Sequence, residues 1–339
     1  MQEKFKIDIN NKKNTNFSLN KAYRVIIDTE HAGRRIDNFL LGELATVPKS
    51  RIYRMLRKGE VRINGGRIKA EYKLVAGDQV RIPPVSICIK NKQPPNNKLN
   101  KILDSIVYED KKLIVLNKPS GIAVHGGSGI NFGVIELLRH SRSDLKELGL
   151  VHRLDRETSG CLVIAKRHSV LRKLHENFRQ GRVEKNYIAL VVGSWQLGEQ
   201  LIDLPLHVSN RKDGERHVIV NSKLGKKAQT KISLSREYNN YSLLRCAPIT
   251  GRTHQIRVHL EHIKFPILGD QRYGDFNENI NVKKKLGLDR IFLHAQSISF
   301  LDDRGGDLHF TAPLSEDLER FLQSIKLKAK KNQKKNRKY

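Results

Sequence analysis

The sequence of 339 residues contains few cysteines, few carboxylates relative to its bases, and no long apolar segment. The three cysteines, Cys88, Cys161 and Cys246, stand far apart, which excludes a disulfide framework or a clustered thiolate metal site. The longest apolar run, Tyr187 to Val192, has six residues, whereas a membrane-spanning helix needs about 20. The N-terminal residues contain no apolar core, so we expect no secretory signal and a reducing, cytoplasmic location.

Positive charge, in contrast, is abundant. Lysine and arginine number 64 against 35 aspartates and glutamates, which gives a formal net charge of +29. This surplus indicates a polyanionic partner, most simply a nucleic acid, although charge alone does not distinguish DNA, RNA and an anionic membrane. The apolar fraction of 38% is spread along the chain, so we expect a folded protein with more than one domain.

A compact unit is predicted over residues 21–85. Apolar residues recur at helical spacing around residues 36–44, and a second helix is predicted over Arg51–Lys58 with Ser50 as its N-cap. A strand-like segment follows and turns at Asn64-Gly65, which is a strong hairpin signal.

The second helix of this unit is strongly basic on one side. On the helix alone, an ordinary surface helix with a solvated basic face is the better interpretation. The whole stretch, however, resembles the S4 RNA-binding domain in RIDNFL, VPKSRIYRMLRKGEVRING and AGDQVRIPP. The resemblance implies salt-sensitive contacts to RNA phosphates. The side chains expected to make them are Lys49, Arg51, Arg54, Arg57 and Lys58.

Three segments are expected to lie outside the folded domains. Residues 1–20 are rich in Asn and Lys and predict a disordered arm. Residues 86–101 are expected to form a linker, because residues 90–101 contain Pro, Asn and Lys with almost nothing apolar. Residues 326–339 are almost entirely polar and basic and predict a disordered tail.

Residues 102–325 are predicted to form a mainly antiparallel α+β domain, preceded by the small α/β unit. Short strand-like runs dominate, and helical patterns occur around Val134 to Arg139 and around His168 to Gln180. Strand–helix–strand units rarely follow one another, so an antiparallel sheet is favoured over a doubly wound one.

Asp155 is the first candidate for chemistry. It lies in the run VHRLDRETSGCLVIAK, where a polar turn precedes an apolar strand, so its carboxylate should sit at a strand end. An ionised aspartate in a cleft can act as a nucleophile or a base. For an isolated aspartate between Arg153 and Arg156, a structural Arg–Asp pair is the better interpretation.

Arg257 is the second candidate. Within the run TGRTHQIRVHL, residues 255–260 alternate as a strand would, and this alternation points Arg257 toward a cleft. The apolar residues expected on the opposite face are Ile256, Val258 and Leu260. A surface-strand arginine is the alternative.

The remaining motifs argue against a bound metal or nucleotide. His254, His259 and His262 lack the HExxH arrangement and have no nearby cysteine partner, so a structural or RNA-facing role is favoured and no metal site is expected. The run DKKLIVLNKPSGIAVHGGSG lacks the spacing of a P-loop or a dinucleotide fold, so no nucleotide cofactor is expected either. Its Gly-rich end is interpreted as a mobile loop lining a substrate channel, with a plain surface turn as the alternative.

Taken in order, the motifs resemble those of the bacterial large-subunit rRNA pseudouridine synthases. The matching runs are LIVLNKPSGIAVHGGSG, VHRLDRETSG, EKNYIALVVG, TGRTHQIRVH, PILGDQRYG and IFLHA, which together span residues 102–325. The runs FGVIELLR, KLHENFRQ and GDQRYGD are most similar to the C-type branch, which modifies several uridines of that RNA. The resemblance implies an isomerisation that needs no cofactor.

The resemblance also implies a role for each site residue. Asp155 would be the essential carboxylate, which either attacks the nucleoside or abstracts a ribose proton. Arg257 would pair with it, and Tyr187 would stack on the base and assist a late proton transfer. Arg153 would fill the place left by the extruded uridine. Leu293 would form an apolar wall, although a core role is an equal alternative for it.

The implied partner is large-subunit ribosomal RNA or an assembly intermediate, and a monomer suffices for the chemistry. Two other functions fit parts of the sequence. One is an RNA-binding or ribosome-assembly factor in which catalysis is secondary or lost. The other is a glycosylase, since a carboxylate beside a flipped nucleotide also suits hydrolysis. The intact set of Asp155, Tyr187 and Arg257 favours an active isomerase.

Overall fold

The computed structural model describes residues 16–19, 21–44, 47–88, 93–127, 130–142, 144–145, 147–210, 216–302 and 305–335. The chain divides into two compact units, Met1–Pro94 and Pro95–Tyr339. Residues 1–15 and 20 of the expected arm, and residues 336–339 of the expected tail, lie outside the described residues. No described helix is both long and apolar enough to cross a membrane.

The first unit contains a four-stranded antiparallel sheet, two helices and a separate strand pair. Its elements are β1 (Asn16–Leu19), β2 (Tyr23–Ile26), α1 (Ile36–Glu43), α2 (Lys49–Lys58), β3 (Arg62–Ile63), β4 (Gly66–Arg67), β5 (Gln79–Ile82) and β6 (Val85–Cys88). The strand order of the sheet is β2-β5-β3-β4, and β1 pairs with β6. Both helices and the sheet contribute to one apolar core.

The predicted helix α2 and the hairpin after it are confirmed, with one difference at the helix start. Helix α2 spans Lys49–Lys58, and its C-cap Gly59 has a φ of +67°, in the left-handed region. Pro48 takes the capping position that was expected for Ser50, because the fixed φ of proline is compatible with a helix start. The hairpin turns at Asn64-Gly65, where both φ angles are positive.

The second unit is built on a ten-stranded sheet. Its elements are α3 (Asn96–Leu103), β7 (Ile106–Glu109), β8 (Leu113–Lys118), α4 (Val134–Ser141), β9 (Gly149–Leu150), β10 (Ser159–Ala165), α5 (His168–Arg179), β11 (Val183–Val192), β12 (Gln200–Asp203), β13 (Leu206–Asn210), β14 (Arg216–Val220), β15 (Gln229–Tyr238), β16 (Tyr241–Pro248), α6 (Gln255–His262), α7 (Phe276–Leu286), β17 (Leu293–Leu301), β18 (Asp307–Thr311) and α8 (Glu316–Lys335).

The sheet is antiparallel apart from one pair of strands. The strand order is β12-β15-β16-β11-β17-β10-β8-β7, with β18 beside β17 and β9 beside β10. Among the described strands, only β10 and β17 pair in parallel, while β13 and β14 form a separate antiparallel pair. The predicted α+β class with a mainly antiparallel sheet is therefore confirmed.

The central strands are buried on both faces, which makes the sheet a rigid platform. On β8, Ile114 joins an apolar cluster with Leu138 of α4. The next residue, Val115, joins the cluster on the opposite face with Leu174 of α5. Strand β11 shows the same alternation between two further clusters. Such strands hold the loops at their ends in place.

Glycine is required where the parallel strands meet. Gly160 has a φ of +113°, and a Cβ atom there would lie 2.2 Å from the carbonyl oxygen of Ala295. No side chain fits so close to the neighbouring backbone. The close approach brings the loop before β10, which carries Asp155, to the start of β17, which carries Leu293.

The predicted strand over residues 255–260 is wrong, because these residues begin helix α6. Every residue from Gln255 to Leu260 is buried. Ile256 and Leu260 pack in one apolar cluster, whereas Val258 packs in another. An alternating apolar pattern arose because the helix is buried on opposite sides, and short buried helices and strands give similar patterns.

The expected arm, linker and tail also contain secondary structure. Strand β1 lies in the arm, where it gains pairing with β6. Helix α3 occupies the second half of the linker, because Leu99 and Ile102 pack against the second unit's core. Helix α8 continues to Lys335, through a segment rich in the good helix formers Lys, Ala and Gln.

Candidate active site

A cavity of about 700 Å³ opens in the second unit. It is lined by the loop before β10, helix α5, strand β11, the loop after β16, helix α6 and the start of β17. The structure brings all five predicted site residues of this unit to the cavity lining. They are Arg153, Asp155, Tyr187, Arg257 and Leu293.

The predicted pairing of Asp155 with Arg257 is present as a long contact. Arg257 Nη1 lies 3.5 Å from Asp155 Oδ2. The Asp155 side chain is 29% exposed, whereas that of Arg257 is 9% exposed. The arginine is therefore part of the wall, and the carboxylate projects from it toward the cavity, where a substrate atom has access.

Arg257 is held in place by a second carboxylate that the sequence analysis did not identify. Its Nε and Nη2 atoms donate to Asp270 Oδ2 at 2.7 Å and Asp270 Oδ1 at 2.8 Å. This is the bidentate geometry that a guanidinium and a carboxylate prefer. The Asp270 side chain is fully buried and also accepts backbone N–H bonds from Arg272 and Tyr273.

These contacts decide the charge state of Asp270. Burial by itself would raise the pKa of the Asp270 carboxyl. The hydrogen bonds and positive charge of Arg257, with the two backbone N–H groups, more than offset burial and lower the pKa. Asp270 thus carries a negative charge that neutralises Arg257, leaving Asp155 available to a substrate.

Tyr273 completes the support of the arginine. The guanidinium carbon of Arg257 lies 5.0 Å from the centroid of the Tyr273 ring, which is a cation–π contact. The Tyr273 hydroxyl in turn lies 2.8 Å from His254 Nδ1 and accepts a hydrogen bond from the backbone N–H of Val218. The orientation of Arg257 is therefore set before any substrate binds.

Tyr187 lies at a register shift between β11 and β17. Burial raises its pKa, and the negative charge of Asp155 raises it further, so the phenol stays protonated at neutral pH. Its hydroxyl has no hydrogen-bond partner among the described residues. A protonated phenol with a free hydroxyl beside Asp155 can stack on a base and exchange a proton.

Leu293 serves the cavity wall and the core together. Its side chain is 3% exposed and packs in an apolar cluster with Ala189 and Ile256, yet it also lines the cavity. Leu293 is therefore a core residue that also forms part of the cavity wall.

Arg153 lies at the cavity rim and is exposed. No ion pair joins it to any residue that the structure describes. With Asp155, His125 and Arg252 it also lines an adjoining cavity of about 230 Å³. An unpaired, planar guanidinium at this place is able to move into a stack of bases.

Lys118 is a further support that the sequence analysis missed. Its fully buried ammonium donates to the carbonyl oxygens of Pro119, Ile122 and Arg156 at 2.8, 2.9 and 3.1 Å. Because Arg156 follows Asp155 directly, Lys118 fixes the backbone of the loop that carries the carboxylate. Ser128 and Gly129 of the predicted substrate-channel loop lie outside the described residues.

The missed residues had a signal in the sequence. Asp270 and Tyr273 stand in the run GDQRYG, and Lys118 stands at the polar end of the apolar run LIVLNK. Each is a polar residue beside apolar or glycine-rich sequence. If such a polar residue is buried, it needs a hydrogen-bond partner, so a sequence of this kind is a reason to look for one.

In the first unit, four of the five candidate RNA ligands on α2 are exposed. These are Lys49, Arg54, Arg57 and Lys58, while Ile52, Met55 and Leu56 bury the opposite side of the helix. Arg51 differs, because its Nη2 lies 2.9 Å from Glu60 Oε2 and it is half-buried. Its charge is already neutralised within the unit.

Comparisons with known proteins agree with this arrangement. The family model described as RNA pseudouridylate synthase matches residues 112–262, and the S4 domain model matches residues 34–80. Ribosomal large subunit pseudouridine synthase C of Haemophilus influenzae is 50% identical over 91% of this chain and 97% of its own length. The protein of the same name from Escherichia coli K12 is 49% identical over 89% of this chain and 96% of its own length.

A solved structure agrees as well. The chain is similar to human RNA pseudouridylate synthase domain containing 4, with a TM-score of 0.56 and 27% identity. The similarity covers 68% of this chain and 96% of the human chain.

Proposed function

Because the chain belongs to the family of RNA pseudouridylate synthases, we propose that it isomerises specific uridines of large-subunit ribosomal RNA to pseudouridine. The observation that carries the proposal is the Asp155 carboxylate, 3.5 Å from an arginine that is itself fixed by a buried aspartate. The carboxylate, Tyr187 and the apolar wall meet in one cavity.

The reaction breaks the N1–C1′ bond of uridine, turns the base, and joins C5 to C1′. The proton on C5 leaves to solvent and N1 gains a proton, so atoms and electrons balance without an oxidant or reductant. Asp155 is the group that enables the bond to break. Two routes are consistent with its place: addition of the carboxylate to C1′, or removal of the proton on C2′.

The target base reaches this cavity by leaving its stack, since its reacting atoms are inaccessible inside a helix. Arg153, exposed and unpaired at the rim, occupies the vacated place by stacking its guanidinium on the neighbouring bases. Inside the cavity, Tyr187 and Leu293 hold the flipped uracil between an aromatic ring and an apolar surface.

Orientation of Asp155 comes from the groups behind it. Arg257 contributes its charge through Nη1, while its Nε and Nη2 are occupied by Asp270. A preorganised donor of this kind stabilises developing negative charge without reorganising during the reaction.

The S4 domain, for which we propose the bounds 21–85, contributes to RNA binding, and we propose the bounds 102–325 for the catalytic domain. Lys49, Arg54, Arg57 and Lys58 contact phosphates, whereas Arg51, paired with Glu60, makes a smaller contribution. Such contacts give affinity that falls as salt increases, with little sequence preference.

The enzyme acts as a cytoplasmic monomer in this proposal, on free large-subunit rRNA or an assembly intermediate. The five predicted site residues meet in one cavity of a single chain. Analytical ultracentrifugation of the protein alone tests the monomeric state, and a stable dimer at micromolar concentration would contradict it.

The activity is tested with unmodified large-subunit rRNA labelled with tritium at uridine C5. The proposal expects release of tritium to water and pseudouridine in the nucleoside digest. Free uracil with an abasic site would identify a glycosylase instead, and binding without release would identify an assembly factor. Either outcome would overturn the proposal.

A further inference from the structure

Lys185 is a charged residue of the cavity to which no role has been assigned. It lies on β11 two residues before Tyr187, so both side chains are on the same face of the strand, and both line the cavity. Its ammonium lies 3.5 Å from the carbonyl oxygen of Thr250 and 6.0 Å from the centroid of the Phe178 ring.

The ammonium has no counter-ion among the residues that the structure describes. No described carboxylate forms an ion pair with it, and Asp155 is the only carboxylate among the described residues that line the cavity. Burial lowers the pKa of Lys185 to about 8, so the group is still charged at neutral pH. A desolvated charge without a partner is unfavourable, and ordinarily such a charge is paired.

The surroundings do not neutralise this charge in another way. His152 accepts a hydrogen bond from the backbone N–H of Val163, and burial together with the Lys185 charge lowers the pKa of His152 to about 3. This imidazole is therefore neutral. Arg179 and Arg252, which are exposed at the same cavity, add further positive charge.

The partner that fits is an anion supplied by the substrate. A uracil base is neutral and cannot offset the charge, whereas each phosphodiester of RNA carries one negative charge. Two residues of a strand span about 7 Å. Lys185 is thus displaced along the strand from Tyr187, so a group other than the base stacked on that ring can reach the ammonium within the same cavity.

We propose that Lys185 binds a phosphodiester flanking the flipped uridine, an inference that rests on the proposed function. One N–H of the ammonium donates to the Thr250 carbonyl and the others donate to non-bridging phosphate oxygens. The subsite is unfavourable in the free enzyme and becomes favourable only when RNA is bound. The contact therefore stabilises the complex in which the nucleotide is extruded into the cavity, relative to the free enzyme.

The test compares Lys185→Met, which keeps the apolar stem, with Lys185→Arg, which keeps the charge. For Lys185→Met we expect the KM for rRNA to rise by roughly tenfold, as for loss of one charged hydrogen bond. The slope of log affinity against log salt should fall by about one, and Lys185→Arg should restore most of both. The melting temperature of free Lys185→Met should be equal to or above that of the wild type.

Lys231→Met is the matched control, because Lys231 is exposed on β15 and does not line the cavity. It should change neither KM nor the salt slope by a comparable amount. A Lys185→Met protein with the wild-type KM and salt slope would overturn the inference. A lower melting temperature with unchanged RNA binding would also overturn it, since that result identifies a structural lysine.

A second measurement asks whether the partner is the phosphate. A short rRNA substrate with one mapped target uridine is prepared with a neutral methylphosphonate at each flanking linkage in turn. One of the two replacements should weaken the wild type as much as Lys185→Met does, and should add nothing in that variant. Additive losses at both linkages would refute the contact. Because the wild type's tritium release is measured in the same reactions, failure of the proposed isomerisation is seen separately.

Discussion

Replacing Asp270 by Asn tests whether Asp270 orients Arg257 toward Asp155. In the wild type, Asp270 accepts two hydrogen bonds from Arg257, at 2.7 and 2.8 Å, and its side chain is fully buried. The substitution leaves one acceptor oxygen and places an NH₂ group against an arginine N–H. Arg257 then remains buried with only the more distant Asp155 to offset its charge.

The expected loss of stability follows from this geometry. Removing one partner of a buried ion pair costs about 3 to 5 kcal/mol, and the retained oxygen of Asn places the estimate near 3 kcal/mol. Loss of the bidentate hydrogen bond allows the Arg257 guanidinium to move relative to Asp155. A displacement of about 1 Å costs roughly a hundredfold in rate. We therefore expect kcat to fall by about that factor, with a smaller change in KM.

The difference in stability should also depend on pH. Because the folded-state pKa of Asp270 is lowered, its contribution is present above the ordinary value of about 3.9 and is lost as pH falls through the folded-state pKa. The wild type and Asp270→Asn should therefore converge in acid. Urea denaturation between neutral and acidic pH measures the difference in free energy of unfolding.

Asp275→Asn is the matched control, because Asp275 is exposed and caps α7, a position where Asn serves equally well. This control should retain wild-type stability and kcat. An Asp270→Asn protein with wild-type kcat and an unchanged free energy of unfolding would refute the argument that Asp270 orients Arg257.

Three further outcomes follow from the structure. Tyr187→Phe keeps the ring and removes only the hydroxyl, which has no hydrogen-bond partner among the described residues. Because that hydroxyl is the group proposed to transfer a proton, steady-state kinetics should show kcat falling by roughly a hundredfold with a similar KM. An unchanged kcat would contradict the proton-transfer role. Gly160→Ala should lower the free energy of unfolding by roughly 3 kcal/mol, whereas Gly181→Ala, which has open space, should cost about 1 kcal/mol in the same urea titration. Arg54→Ala should lower the salt slope of RNA binding by about one, and Arg51→Ala by less, since Arg51 is already paired; equal effects would contradict the assignment.

The sequence analysis grouped residues that the structure places in one cavity, but it assigned the wrong secondary structure to one element that carries them. Motif resemblance identified Asp155 and Arg257 correctly as neighbours, and the structure places them 3.5 Å apart. The strand expected around Arg257 was wrong, because helix α6 is buried on opposite sides and its apolar residues mimic strand alternation. Tertiary burial of this kind leaves no helical periodicity to read.

The supporting residues were hidden for a different reason. Asp270 acts through Arg257, which stands 13 residues earlier, and Lys118 acts through backbone carbonyls, and neither contact follows from a fixed sequence spacing. Helix α3 was missed because only Leu99, Ile102 and Leu103 mark its apolar side within a polar segment. In each case a partner elsewhere in the fold, absent from the local sequence, determines the outcome.

The most direct measurement of the central claim is tritium release from C5-labelled rRNA by Asp155→Asn, at saturating RNA and in a single turnover. Asp155 is 29% exposed and its contact with Arg257 is long, so the variant should fold with a loss of less than about 1 kcal/mol. The account predicts release by the wild type and none above background by the folded variant. Substantial release by a folded Asp155→Asn protein would contradict the assignment of Asp155 as the essential carboxylate.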